Sequence, residues 1–136
     1  MSTTDKIEAR RARLKELVVT GSTTSTAGVN HIAVISADLE ASVRFYREVL
    51  GMPLVSVAAN RELPESTHVD VDIGGGTRLS IFDSPHLQGR KAVEGAGGLM
   101  HIALSLSRER LEEVERASSD RGRGLCAPAR PRPRVP

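Results

Sequence analysis

The chain has 136 residues, 39% of them hydrophobic and 2% aromatic, with a formal charge of +2; that suits one compact domain or two very small modules. Phe45, Tyr46 and Phe82 are its only aromatic residues, which argues against the stacking platforms of a single-stranded nucleic-acid binder. Five of the 19 basic residues and none of the 17 acidic ones fall in the last sixteen positions, so the body is mildly acidic, unlike a nucleic-acid-binding body.

The N-terminus "MSTTDKIEARRARLKELVV" has no apolar core of signal-peptide length. No apolar run approaches the eighteen or so residues of a membrane span, and Cys126, the single cysteine, permits no internal disulfide. A soluble cytoplasmic protein is expected. Residues 5–18 read as a helix, with Asp5 and Glu8 forming a start like a capping box and Ile7, Leu14, Leu17 and Val18 on one stripe. "GSTTSTAG", from Gly21 to Gly28, is a flexible linker by composition. Residues 1–28 thus form an appendage, either a surface extension or an arm packing on a second subunit.

From Val29, "VNHIAVIS" alternates as a strand does, with Ile32 and Val34 on one face and His31, Ala33 and Ile35 on the other. Asp38 is placed to cap the helix "LEASVRFYREVL", which buries Val43, Tyr46 and Leu50 at three- and four-residue spacings. Gly51 and Pro53 end it. "LVSVAA" is a second strand, and "THVDVDI" and "TRLSIFD" make a hairpin through Gly74, Gly75 and Gly76. Val69, Val71, Ile73, Leu79 and Ile81 form its apolar face, with His68, Asp70, Asp72, Ser80 and Phe82 opposite. The glycine run precedes no helix, so it is a turn and not a phosphate cradle.

After the connection "SPHLQGRKAVEGAGG", where His86 and Glu94 read as solvated loop residues, "LMHIALSL" restarts the pattern. Ile102 and Leu104 would face the following helix "RERLEEVERA", capped by Ser107, with His101, Ala103 and Ser105 facing away. The tripeptide His-Ile-Ala therefore occurs twice, at His31 and at His101, each time opening a strand and helix. Internal repeats of this kind mark duplicated units. If the two units pair through their first strands, both imidazoles line one concave surface, and neutral imidazole is a good ligand for Fe, Mn, Ni, Co or Zn. Ser80 lies in no sharp strand-to-helix turn, so it is not a nucleophile elbow, and Cys126 has no basic helix terminus to activate it. The tail from 120 onward, rich in Arg and Pro, shows no alternation. It reads as a disordered tail or as an out-of-frame product of GC-rich coding sequence.

The segment Asn30–Phe82, with Met100–Ala117, resembles the vicinal oxygen chelate superfamily, which includes glyoxalase I, bleomycin-resistance proteins and extradiol ring-cleavage dioxygenases. "NHIAVISADLEASVRFYREVLGM", "HVDVDIGGGTRLSIFD" and "GLMHIALSL" carry the likeness. It implies an α+β fold in which paired strand–helix–three-strand modules form a cupped mixed sheet. Here the second module would be incomplete and an N-terminal helix added, dividing the chain into 1–28, 29–98, 99–119 and 120–136. It also implies that His31 and His101 bind a divalent metal, Fe, Mn, Ni, Co or Zn. The last strand of each module supplies carboxylates in the family, yet that position of the first module corresponds to Ser80, and no Glu follows Glu115. A third ligand would come from Asp70, His68, a partner chain or water. The expected function is a metal-dependent enzyme, dioxygenase-like, acting on a small substrate with neighbouring oxygens. His68 or Asp70 would carry a proton and Ser80 and Phe82 would touch substrate. A homodimer is expected, without nucleic-acid or membrane partners. The alternatives are a metal-free small-molecule binding module, as in bleomycin resistance, or an inactive truncated product.

Overall fold

A computed structural model describes residues 2–21, 24–87, 92–93 and 95–120. The first helix, α1 (Thr3–Lys15), begins earlier than the sequence pattern predicts. Ser2 is its cap: the Ser2 hydroxyl accepts the Asp5 amide at 3.1 Å, and the Asp5 carboxylate accepts the Ser2 amide at 2.7 Å. That reciprocal pair satisfies two free donors of the first turn. The helix buries no residue, and Leu14, Leu17, Val18 and Val19 all remain exposed.

The body starts with β1 (His31–Ser36). Asp38 then caps α2 (Leu39–Arg44), its carboxylate accepting the Ala41 amide at 2.9 Å. The single helix expected over 39–50 widens instead into a π turn over Phe45–Val49, where the Leu50 amide reaches back to the Phe45 carbonyl. Gly51 ends it in the left-handed region, at φ +68°. Next come β2 (Leu54–Ala59), β3 (Thr67–Gly74) and β4 (Thr77–Asp83), all where the alternation predicts them. A 3-10 turn at Pro85–Leu87 follows, then α3 (Arg108–Ser119).

The four strands form one mixed sheet in the order β1-β4-β3-β2. β1 runs parallel to β4, while β4–β3 and β3–β2 are antiparallel. The helix carries the chain from one edge of the sheet to the other, and the three later strands return to β1. One face is apolar: Val69, Val71, Leu79 and Ile81 are all at most 3% exposed, and Ile32, Val34, Val43, Tyr46 and Leu50 pack against them. Each such side chain contributes roughly 1.5–3 kcal/mol when fully removed from water. Val114 and Ser118 of α3 are buried too. Arg110 ties α3 to the π turn, donating to the Val49 carbonyl at 3.4 Å while pairing with Glu113 at 2.6 Å.

The expected strand over 99–106 does not form. Among the described residues β1 pairs only with β4, and 99–106 joins no ladder although Ile102 packs on the core. Alternation requires only one dry and one wet side, whereas a strand also requires a neighbour for its backbone groups. Here the segment has no such neighbour among the described residues, and Leu99, Met100, Leu104 and Leu106 stay exposed. Beyond the 3-10 turn, the described residues therefore contribute an unpaired segment and a helix, with no second set of strands. The tail expected from 120 onward, with Cys126, lies outside the described residues apart from Asp120.

Candidate functional site

The face of the sheet opposite the core is set by cross-strand register. On β3 and β4, His68 stands opposite Phe82, Asp70 opposite Ser80, and Asp72 opposite Arg78. The parallel neighbour β1 adds His31 beside Arg78, Ala33 beside Ser80, and Ile35 beside Phe82. Residues two apart share a face, so these nine positions form three rows on one surface.

Asp70 is the hub. It is 7% exposed, and Ser80 is 4% exposed. The Ser80 hydroxyl donates to Asp70 Oδ1 at 2.6 Å, and His68 Nε2 lies 3.0 Å from the same oxygen. Arg78 Nη1 stands 4.0 Å from Oδ2. Burial by itself raises the carboxyl pKa, but the hydrogen bonds from Ser80 and His68 and the charges of His68 and Arg78 outweigh it. Asp70 is thereby held below the usual carboxylate range. The His68 ring lies flat on Phe82, with centroids 4.3 Å apart and planes 8° from parallel.

Phe82 also lines a hollow of about 800 Å³ at the C-terminal ends of β1 and β4, with Ile35, Leu63, Leu99 and Met100 among its apolar walls and Asn60 and Asp83 among its polar ones. Asp83 is fixed there: its Oδ1 accepts the Thr67 amide at 2.5 Å, and its carbonyl accepts the Ser66 hydroxyl. Among the described residues Phe82 is the one member of the Asp70 cluster that borders this hollow.

The two repeated histidines are parted by the sheet. His31 faces the surface just described, exposed, with Nδ1 2.9 Å from Asn30 Oδ1. His101 lines a second hollow, of about 350 Å³, together with Tyr46, Leu50, Ile73 and Leu79. Those four belong to the core side. Within one chain the structure does not bring His31 and His101 together, and the reason is the unformed strand over 99–106.

A family model described as the Glyoxalase/Bleomycin resistance protein/Dioxygenase superfamily matches residues 28–122. The chain belongs to that superfamily. A Bacillus subtilis (strain 168) protein provisionally named ring-cleaving dioxygenase MhqA is 32% identical over 63 residues, covering 44% of this chain and 20% of its own length. The uncharacterized protein YaeR of Escherichia coli (strain K12) is 35% identical over 78 residues, covering 57% of this chain and 60% of its own. The matches thus span a fifth and three fifths of those relatives. Among solved structures, a glyoxalase family protein from Enterococcus faecalis superposes with a TM-score of 0.57 at 25% identity, over 73% of this chain and 75% of that one. A point mutant of the fosfomycin resistance protein FosX from Listeria monocytogenes, solved with Mn(II) and a dihydroxypropylphosphonic acid, superposes with a TM-score of 0.55 at 21% identity, over 79% of each chain; at that identity the likeness is one of fold.

The metal implied by the superfamily finds no fitting ligand set among the described residues of one chain. Among the described residues no group of three or more His, Cys, Asp or Glu side chains is arranged to hold a metal ion. Asp70, the one buried carboxylate among the described residues, is occupied by Ser80 and His68, and Ser80 stands where the superfamily resemblance places a carboxylate. No helix among the described residues is long and apolar enough to cross a membrane. Sequence reasoning overlooked Arg78, although it alternates with Ser80 and Phe82 and so had to share their face. It also overlooked Asp83, whose role rests on a contact to Thr67 sixteen residues away that no spacing reveals.

Proposed function

We propose that this superfamily member binds a small molecule with neighbouring oxygens, its body in the hollow beside Phe82 and its oxygens toward His68, and that His68 moves a proton to or from it. One observation carries the reading. Phe82 is at once a wall of the hollow and the platform of a histidine whose other side is bonded to a buried carboxylate. A cavity that is mostly apolar and meets a few convergent polar groups has the character of a ligand site, and a histidine within reach is the commonest proton carrier. Arg78 and His31 continue the same surface two rows farther from the hollow.

Titration of catechol, as a probe with neighbouring oxygens, into isotope-labelled protein treated with EDTA tests this. Saturable amide shifts at Ile35, Phe82 and His68 are expected. Shifts confined to other parts of the chain, or none, would overturn it.

A second reading is favoured by the position of His31 on a strand whose outer edge pairs with no other strand among the described residues, and by Mn(II) in the FosX structure. In that reading two copies associate along β1, His31 of one chain and His101 of the other share a divalent metal, Fe, Mn, Ni, Co or Zn, and the chemistry is dioxygenase-like. Open strand edges invite such pairing. Sedimentation and elemental analysis of untagged wild type, His31→Ala and His101→Ala decide it. A dimer carrying metal that both variants lose is expected on this reading, and equal metal content in all three proteins would exclude it.

A further inference from the structure

The sheet face opposite the core contains more than a histidine near a carboxylate. His68, Asp70, Ser80 and Phe82 form a closed set of contacts across two antiparallel strands, and the register that creates one contact creates the others. We infer that Asp70, Ser80 and Phe82 are positioning residues that hold His68 as its Nε2–H tautomer and leave Nδ1 as the proton-accepting atom of the site. This rests on the reading of His68 as proton carrier and assigns the three neighbours their part in it.

The chemistry of the donors leaves little freedom. An ionised carboxylate only accepts hydrogen bonds. Asp70 Oδ1 takes the Ser80 hydroxyl at 2.6 Å and faces His68 Nε2 at 3.0 Å, so the nitrogen at that contact must bring the hydrogen. A neutral imidazole has one N–H, which leaves a lone pair on Nδ1. No hydrogen bond among the described residues reaches Nδ1. Turning the ring half a turn about Cβ–Cγ would keep its plane along Phe82 but bring Cε1 to the place of Nε2 and give up the bond to Asp70, and a smaller turn would tilt the ring off Phe82, whose centroid lies 4.3 Å away. Half a turn of the carboxylate only exchanges two equivalent oxygens, and a partial rotation would give up the bonds that Ser80 and His68 make to one of them. Charged groups on the same face are Asp70 in the adjacent row and Arg78, Asp72 and His31 in the row beyond it. Asp72 is committed to the turn, its Oδ1 accepting the Gly74 amide at 2.7 Å.

Ser80 thereby acquires a different part from that of a substrate contact. It is 4% exposed and its hydroxyl hydrogen is committed to Asp70, so it acts through the carboxylate on the histidine.

Long-range proton–nitrogen NMR on histidine-labelled protein reads the tautomer directly, and with four histidines in the chain a His68→Gln spectrum suffices for assignment. In the ligand-free wild type at a pH where His68 is neutral, Nε2 should carry the proton and Nδ1 should give the signal of a bare ring nitrogen. Ser80→Ala and Phe82→Leu should each shift His68 toward a mixture of tautomers without changing the signals of His86 or His101. An Nδ1–H tautomer in the wild type, a mixture like that of free imidazole, or a single unchanged tautomer in both variants would overturn the assignment. The wild-type spectrum is informative even if a variant folds poorly. Since no ligand is present, the assignment can fail while the catechol titration succeeds, and the reverse.

Discussion

His68 Nε2 lies 3.0 Å from Asp70 Oδ1, an oxygen that Ser80 reaches at 2.6 Å from the neighbouring strand. Two residues apart on β3, the pair shares the face opposite the core, and Ser80 and Phe82 supply the matching positions on β4. The order of this face therefore depends on a few atoms contributed by two strands.

Replacing Ser80 with alanine removes a charge-assisted bond from a nearly buried carboxylate. Hydrogen bonds to charged groups contribute about 1.5–3 kcal/mol, and Ser80→Ala should lower the unfolding free energy by that amount in urea melts at neutral pH. A loss below about 0.5 kcal/mol would mean that solvent replaces the hydroxyl at no cost, and that the bond does not hold the carboxylate.

The acid limb of stability follows from Asp70. Its folded pKa is depressed, so its ionised form contributes stability that is complete above the unfolded carboxyl value, about 3.9. That stability is lost as the pH falls through the lower folded value. Asp70→Asn removes the contribution, so the gap between wild type and variant should be wide at pH 7 and narrow progressively below about pH 4. Paired urea titrations across that range check it, and a gap that stays constant would show that ionisation of Asp70 is not the source.

Gly51 stops the π turn at φ +68°, and a Cβ there would run into the Arg110 guanidinium. Left-handed backbone costs a residue with a side chain about 1–2 kcal/mol, before any displacement of Arg110. Gly51→Ala should lose at least that much and loosen α3, measured as faster amide exchange around Val114. Adding Arg110→Ala should restore only the share due to the collision, because the backbone cost stays.

Leu79 is 2% exposed, between Val71 and Ile32 on the neighbouring strands. Truncation to alanine should cost about 2–5 kcal/mol, as large-to-small core changes do. The His68 tautomer should be unchanged in whatever fraction stays folded, since the two residues occupy opposite faces. A Leu79→Ala protein of wild-type stability would place the core elsewhere.

Most of the sheet is legible in the order of residues alone. The alternation in "THVDVDI" and "TRLSIFD" separates Val69, Val71, Leu79 and Ile81 from His68, Asp70, Ser80 and Phe82, and the structure keeps that separation. The same rule over-reads 99–106. Ile102 does turn toward the core, yet the segment lacks a ladder, and the convergence expected of His31 and His101 depended on that ladder. The helix caps at Asp38 and Ser107 are readable because capping needs only a side chain and an amide three residues away. At the first helix the pattern points to Asp5 as the start, whereas Ser2 and Asp5 act as one reciprocal cap.

What the sequence determined by itself is local: which side of each sheet strand is dry, where Asp38 and Ser107 start their helices, and where glycine permits a turn. Each of these depends on residues a few positions apart, whose spacing the chain displays. The tertiary structure alone decided that Asp70 meets Ser80 and not the residue beside it, that Arg78 stands by the carboxylate, and that the sheet lies between the two histidines. Such facts turn on which strands pair and in what register. The free energy that selects the pairing comes from burying the whole apolar face at once, and one step of slippage would have put every one of these side chains on the other side.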